Sequence, residues 1–346
     1  MKILVTGGAG FIGSEFVRLS LQGVLPNSSN VEVTVLDKLT YCSNRANLEP
    51  ISDCPRYRFV QGDACDAALV DEVVADHDAI VHFAAETHVD RSILEPAEFV
   101  KTNVLGTQVL LDAALRHGVQ RFVHVSSDEV YGSIDEGSWT EESPIAPNGP
   151  YAATKAASDL LALAYYRTFG LSVSVSRCTN NYGWYQFPEK VIPLFVTNLL
   201  DGRRVPLYGD GDHRRDWLHV SDHCRALQLV LHRGRAGEVY HIGGGTELTN
   251  TQLTARLLEA CGVGQEMVEH VSDRPGHDRR YSLDIAKTRR ELGYEPQVRF
   301  DEGLAMTVQW YRENRSWWEP LRLRAALDRR ERSLAEPVGN PRWRLR

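Results

Sequence analysis

Cysteine is scarce and scattered in this sequence: Cys42, Cys54, Cys65, Cys178, Cys224 and Cys261 show no Cys-x-x-Cys spacing in 346 residues. That pattern excludes a disulfide framework or a thiolate zinc site, and no metal is expected. It suits reduced packing thiols in a cytoplasmic protein. Long hydrophobic runs are missing as well. No stretch reaches the length of a transmembrane helix, and Met1 to Thr6 reads directly as a buried strand. The charged start, longer apolar run and cleavage site of a signal peptide are not seen. Net positive charge is also lacking: −7 overall argues against a surface built to grip nucleic-acid phosphates. There is no internal repeat. With 42% hydrophobic and 25% charged residues, the chain has an ordinary globular composition and a length suited to two lobes.

Short apolar runs alternate with helical patterns through the first half. Strands are predicted at Ile3 to Thr6, Val31 to Asp37, Arg58 to Gln61, Ala79 to Ala84, Arg121 to Ser126 and Ser172 to Arg177. Helical spacing runs from Phe99 to Leu115 and from Tyr151 to Tyr166. Such alternation implies right-handed crossovers and an α/β fold with a doubly wound, Rossmann-type parallel sheet. Ligands on such sheets bind at the carboxyl ends of the strands. After about Asn180, Gly and Pro become frequent and segments shorten. One strand, Val239 to Ile242, is expected to return to the main sheet. The expected division is a dinucleotide-binding domain over 1–178 with a return segment at about 223–250. A smaller C-terminal substrate-binding lobe takes 179–222 and 251–321, and an Arg-rich tail takes 322–346.

The first strand runs into Gly7-Gly-Ala-Gly10-Phe-Ile-Gly13 and then a helical pattern. Gly7 and Gly10 permit a tight turn and close backbone approach to a pyrophosphate, and Gly13 lets helix and strand pack closely. The phosphates would meet the unpaired N–H groups of the helix N-terminus. Asp37 ends the second strand, where a carboxylate accepts from ribose hydroxyls and repels a 2′-phosphate, favouring NAD over NADP. Asp63 closes the third strand and reaches toward the adenine, or is simply a turn residue. Ala84 and Ala85 are small where the cofactor backbone would cross.

Tyr151-x-x-x-Lys155 puts both side chains on one helix face. The ammonium lowers the tyrosine pKa, so Tyr151 takes a proton from a sugar hydroxyl as hydride leaves, while Lys155 holds the nicotinamide ribose. Ser126-Ser127-Asp128-Glu129-Val-Tyr131-Gly132 leaves the fifth strand. A plain dehydrogenase or epimerase needs a hydroxyl there but not two adjacent carboxyls. An elimination needs an acid and a base, and adjacent carboxyls supply both if their environments split their pKa values.

These motifs, with LDKLTY, HFAAETHVDRSI, TNVLGT, NNYGWYQFPEKVIP, YGDGDHRRDWLHVSDH and DRPGHDRRYSLD, run from Met1 to about Leu321. The chain resembles the dTDP-glucose 4,6-dehydratases, extended members of the short-chain dehydrogenase/reductase superfamily. The resemblance implies Asp128 as general acid, Glu129 as base at C5 and Tyr151 as base at the C4 hydroxyl. Ser127 stands where the family usually has threonine and polarises the C4 oxygen. It implies cofactor contacts from Phe11, Ile12, Lys38, Leu39, Thr40, Ala64, Phe83, Thr102 and Asn181. Substrate contacts are implied at Thr87, Asn180, Glu189, Lys190, Val191, Pro206, Arg215, Asn250, Arg274 and His277. Tyr208 is expected to stack on the pyrimidine.

The resemblance further implies a homodimer, bound NAD, and a closed cycle. C4 is oxidised, water leaves across C5 and C6, and C6 is re-reduced to a 4-keto-6-deoxy sugar. Trp184 replaces a usual proline, Thr179 a serine and His241 an asparagine, which bears on the identity of the nucleotide or sugar. The rival enzymes are a nucleotide-sugar 4-epimerase, a UDP-glucuronate decarboxylase or a dehydratase of another nucleotide sugar such as a UDP sugar. The first two have no need for the Asp128-Glu129 pair. A non-catalytic dinucleotide sensor on the same fold would have no reason to keep Tyr151, Lys155 and both carboxyls together.

Overall fold

The computed structural model describes residues 1–273 and 276–335, so Arg274 and the tail from 336 onward lie outside the described residues. In chain order the strands are β1 (Lys2–Thr6), β2 (Glu32–Asp37), β3 (Tyr57–Gln61), β4 (Ala79–His82), β5 (Arg121–Ser127) and β6 (Val173–Cys178). There follow β7 (Asn180–Tyr182), β8 (Val205–Tyr208), β9 (Arg214–His219), β10 (Val239–Ile242), β11 (Glu247–Thr249) and β12 (Val268–Val271).

Seven of these form one sheet in the order β10-β6-β5-β4-β1-β2-β3, parallel at every pairing. Side chains alternate between the two faces of the sheet along β1 as the pleat demands, and Ile3 to Thr6 are all buried. Ile3 and Val5 pack with Phe16, Val17 and Leu227 on one face, and Leu4 packs with Val70, Leu110 and Phe122 on the other. Both faces are apolar because helices cover both, which is why the strands read as continuous hydrophobic runs. The chain winds outward in opposite directions from β1 and β4, which opens a crevice at their carboxyl ends.

Two predicted elements need correction. The fourth strand stops at His82, not Ala84, because Ala84 leaves the ladder to pass over Gly7. The helix expected from Phe99 to Leu115 is interrupted: Pro96–Phe99 and Gly106–Arg116 are α-helical, while Val100–Leu105 is a π segment. That wider turn sets Thr102 on the crevice and buries Asn103. The Asn103 amide donates to Glu86 O (3.1 Å) and Thr154 Oγ1 (2.9 Å) and accepts from Glu86 N (2.8 Å). It thereby ties the loop after β4 to the helix Pro150–Phe169.

The later part of the chain builds a separate core. A three-stranded sheet (β11-β9-β7) and the parallel pair β12-β8 sit with helices Val191–Leu200, Asn250–Cys261 and Phe300–Glu313. Tyr182, Phe195, Trp217, Leu257, Phe300 and Tyr311 are buried among them. The helix Arg315–Ala335 runs through the start of the expected tail. Trp318, Leu321 and Ala325 are buried at helical spacing, and Arg322 donates to Thr197 O (3.1 Å) and pairs with Asp201. Its apolar stripe is narrow and flanked by arginines, so the composition masks it. Among the described residues no helix is long and apolar enough to cross a membrane.

Candidate active site

The glycine loop between β1 and the helix Phe11–Leu21 is fixed by contacts a side chain would prevent. Gly7 has φ +70°, and a Cβ on it would lie 2.6 Å from Ala84 N; one on Gly13 would lie 2.4 Å from Gly7 O. Gly10 is the N-cap of the helix, with no side-chain cap. The first-turn N–H groups are therefore left for an anion. Gly7, Gly10, Phe11, Ile12 and Gly13 line a long cleft, with Phe83, Ala84 and Ala85 on its wall. This cradle fits a dinucleotide pyrophosphate.

Asp37, Lys38, Thr40, Asp63 and Ala64 line one end of the cleft. Asp37 is buried, its carboxylate accepting from Ala9 N (2.9 Å) and Leu39 N (2.8 Å). Burial raises its pKa, and those two backbone donors oppose the rise. Lys38 Nζ lies 2.7 Å from Asp63 Oδ2, and against the effect of burial this partner holds Asp63 below the usual carboxylate range. Leu39 turns the backbone at φ +58° and packs on the core rather than lining the cleft.

At the carboxyl ends of β5 and β6 the chemical groups converge. Pro150 in the first turn and Gly170 in a left-handed C-cap bound the helix that carries Tyr151 and Lys155 on its inner face. Lys155 Nζ donates to Val125 O (2.8 Å), and burial lowers its pKa. Burial, then the Glu129 charge, pushes the Tyr151 phenol well above its ordinary range, against a hydrogen bond with Ser127. The strand ends at Ser127 and a 3₁₀ turn delivers Asp128 and Glu129. Ser127 Oγ donates to Asp128 Oδ1 (3.1 Å) and accepts from Glu129 N (3.3 Å). Asp128 is only 3% exposed, and burial together with Glu129 raises its carboxyl to about 8. It is a protonated acid at neutral pH beside a second carboxyl.

A buried polar chain stiffens this turn from below. Arg177 donates to Asp159 (2.8 Å) and to the Tyr131 hydroxyl (2.5 Å), which also meets His241 Nε2 at 2.7 Å. His241 Nδ1 lies 3.0 Å from Asp284 O. The histidine in place of asparagine is thus a spacer that reaches Tyr131. Trp184 has a comparable use: its indole N–H donates to Glu15 Oε2 (2.9 Å), pinning the loop after β7 to the glycine-loop helix. Thr179 lines the cleft, and nothing in the structure explains its replacement of serine.

Thr87, Thr102, Asn180, Asn181, Glu189 and Lys190 join the cleft, with Lys190 Nζ donating to Thr87 O at 2.8 Å. Val191, Pro206, Tyr208, Arg215, Asn250 and His277 do not line it. Arg215 lies over the Tyr281 ring (4.2 Å) and donates to Asp278 O (2.8 Å), yet its charge is felt at Asp128. Tyr208, on β8, is half-exposed. Asn250 opens a helix and donates its N–H to His213 O (2.9 Å). His277 stacks on His213 at 3.7 Å, with Nδ1 2.7 Å from Asp273. These three residues lie close enough to share an ion, but stacked rings point their lone pairs side by side rather than at one point. The sequence reading missed Ser43, Gln186 and Phe187 on the lining. Gln186 and Phe187 lie inside the quoted NNYGWYQFPEK run, so the signal was present, whereas Ser43 carries no motif.

Fold and site define a dinucleotide-binding enzyme of the extended short-chain dehydrogenase/reductase class. The family model for GDP-mannose 4,6 dehydratase matches residues 4–307. A dTDP-glucose 4,6-dehydratase of Streptomyces niveus is 70% identical over 322 residues, covering 93% of this chain and 96% of the relative. The structure of DesIV, the dTDP-glucose 4,6-dehydratase of Streptomyces venezuelae, solved with NAD and dTDP bound, superposes with a TM-score of 0.92. It is 64% identical and covers 93% of this chain and 100% of that one. The Bacillus anthracis dTDP-glucose 4,6-dehydratase in complex with NAD gives a TM-score of 0.86 at 48% identity, covering 93% and 99%. The chain belongs to the dTDP-glucose 4,6-dehydratase family.

Proposed function

We propose that this protein converts dTDP-glucose to dTDP-4-keto-6-deoxyglucose as an NAD-dependent hydro-lyase. The observation that carries the reading is the buried, protonated Asp128 beside Glu129, in one cleft with Tyr151, Lys155 and the glycine loop. Residues 1–178 with the return segment at 223–250 hold NAD, with Asp37 on the adenosine ribose and Asp63 toward the adenine. Residues 179–222 and 251–321 hold the nucleotide sugar, with Lys190, Arg215, Asn250 and His277 as diphosphate and sugar donors. Tyr208 stacks on the base.

NAD, held by the glycine loop, Asp37 and Lys155, would supply the hydride acceptor for C4 and the hydride donor for C6. Tyr151 takes the C4 hydroxyl proton, with Ser127 polarising the same oxygen. The C4 ketone acidifies C5, and Glu129 removes that proton. Asp128 protonates the departing C6 hydroxyl, and Glu129 returns a proton to C5. A 4-epimerase would need none of the last three transfers.

Exposed apolar side chains on two packed helical segments, Val100 and Leu105 with Leu160 and Phe169, support a homodimer. Six free cysteines suit a cytoplasmic setting. The test is mass spectrometry of products from a panel of nucleotide hexoses. Loss of one water from dTDP-glucose, with the chromophore that 4-keto sugars develop in strong base, is expected. Isomerisation without water loss, or preference for a UDP sugar, contradicts the assignment.

A further inference from the structure

A cycle that borrows a hydride and returns it requires the reduced cofactor to stay in place between the two transfers. The glycine loop faces the pyrophosphate, but its conformation is fixed from behind, by residues the chemistry does not use. The Ala9–Gly10 peptide is held at both ends. Gly10 N donates to Gly7 O (3.1 Å), and Ala9 O accepts from Asn44 N (3.0 Å) and Asn47 Nδ2 (3.0 Å). Asn47, in the short helix Arg45–Ile51, is only 1% exposed. Its Oδ1 accepts from the Trp317 indole N–H at 2.9 Å. An indole nitrogen only donates and a carbonyl only accepts, so the amide has one orientation, with both of its ends in use. One buried side chain thereby ties the glycine loop to the helix Arg315–Ala335.

The tie closes into a ring. Asn47 O accepts from Arg18 Nη1 (2.6 Å), the Arg18 guanidinium lies 4.2 Å over the Tyr185 ring, and Tyr185 stands edge-on to Trp317 at 5.5 Å. Tyr185 sits at φ +62°, a conformation that bulky residues rarely take and that its surroundings must impose. Strain of this kind gathers at ligand clamps. The two residues after it, Gln186 and Phe187, line the cleft, as do Cys42 and Ser43 just before the helix Arg45–Ile51. Tyr41 meets Phe187 edge-on at 5.7 Å, and Phe187 packs with Leu321 and Ala325 of the C-terminal helix. That helix therefore backs the glycine loop and both of these lining segments. We propose that the helix Arg315–Ala335 is a clasp that retains the dinucleotide through the cycle, with Trp317 and Asn47 as its positioning residues. Release of the dinucleotide requires the segments 41–43 and 186–187 to part, and the ring through Asn47 and Trp317 holds them together.

The clasp rests on the dehydratase reading for its purpose, while its test is cofactor exchange measured without sugar. Holoenzyme loaded with radiolabelled NAD is chased with excess unlabelled NAD, and the retained label is followed by rapid filtration. Trp317→Phe keeps an aromatic ring and removes the N–H, whereas Asn47→Ala removes both bonds of the amide. Each should exchange about tenfold faster than the wild type, the scale of one lost buried hydrogen bond. The double variant should be no faster than Asn47→Ala alone, because the two residues form one chain. During turnover both variants should shed NADH into the filtrate, and added NAD should restore their rate. Trp310→Phe is the control, since Trp310 meets Trp317 at 5.0 Å in the same aromatic cluster and its loss leaves the Trp317–Asn47 bond in place. It should lower the unfolding temperature without speeding exchange. Exchange at the wild-type rate in Trp317→Phe refutes the clasp, whatever Asn47→Ala does. Equal acceleration by Trp310→Phe refutes it too, because general loosening then accounts for the loss. Failure of the underlying reading would appear separately, as wild-type protein that holds NAD but makes no 4-keto-6-deoxy sugar.

Discussion

Replacing Asp128 by asparagine should harm catalysis and help the fold, both for one reason. The carboxyl is 3% exposed and stays protonated to about pH 8 because burial and the neighbouring Glu129 disfavour its charge. In the unfolded chain an aspartate ionises near pH 4. Between those values the folded state binds a proton that the unfolded state has released, so the wild type loses stability as pH rises from about 4 to about 8. At about 1.4 kcal/mol per pH unit, the upper figure at pH 7 is about 4 kcal/mol. Asparagine has the same shape and no charge to suppress, so Asp128→Asn should be roughly 2–4 kcal/mol more stable than the wild type at pH 7 and nearly equal at pH 4. It cannot deliver a proton, and water loss should fall by about 10²–10⁴-fold. The wild-type rate should itself decline above about pH 8, roughly tenfold per unit, while the variant's residual rate should lack that limb. Thermal unfolding across pH 4 to 9 and the base-developed keto-sugar chromophore measure both. A stability gap that does not widen with pH, or a variant that keeps the alkaline limb, refutes the reasoning.

Glu129→Gln should block C5 deprotonation by about 10²–10⁴-fold while leaving C4 oxidation possible. Single-turnover absorbance should show reduced nicotinamide without loss of water, and wild-type turnover would contradict the assignment of the base. Asp37, buried with both oxygens already accepting backbone N–H groups, should exclude a 2′-phosphate. Protein stripped of cofactor and refilled should recover with NAD and not with NADP, and equal rescue would contradict this.

Legibility of the sequence followed the physics of each element. Strands buried on both faces read as apolar runs, and β10 was predicted with its observed limits, Val239–Ile242. The glycine loop was legible because backbone approach demands glycine at Gly7 and Gly13. Tyr151 and Lys155 were legible because a helix brings i and i+4 together. The π turn at Val100–Leu105 was not, since its cause is tertiary: Asn103 bonded to Glu86 and Thr154. Periodicity gave way in the second lobe, where strands of a few residues are held by groups distant in sequence, as Arg215 is by the Asp278 carbonyl and the Tyr281 ring. Trp184 and His241 were visible as departures from the family pattern, but their partners Glu15 and Tyr131 emerge only in three dimensions.

One site oxidises, eliminates and re-reduces the same sugar. The direct measurement follows deuterium placed at C4, mixing labelled and unlabelled dTDP-glucose that carry distinguishable carbon isotopes. The deuterium should reappear at C6 of the molecule that carried it, while the hydrogen at C5 comes from solvent through Glu129. Return of the label to C4 would mean epimerisation, and label on released cofactor would mean net dehydrogenation. Deuterium crossing freely between the two sugar populations would show that the hydride leaves the site, and would contradict the closed cycle.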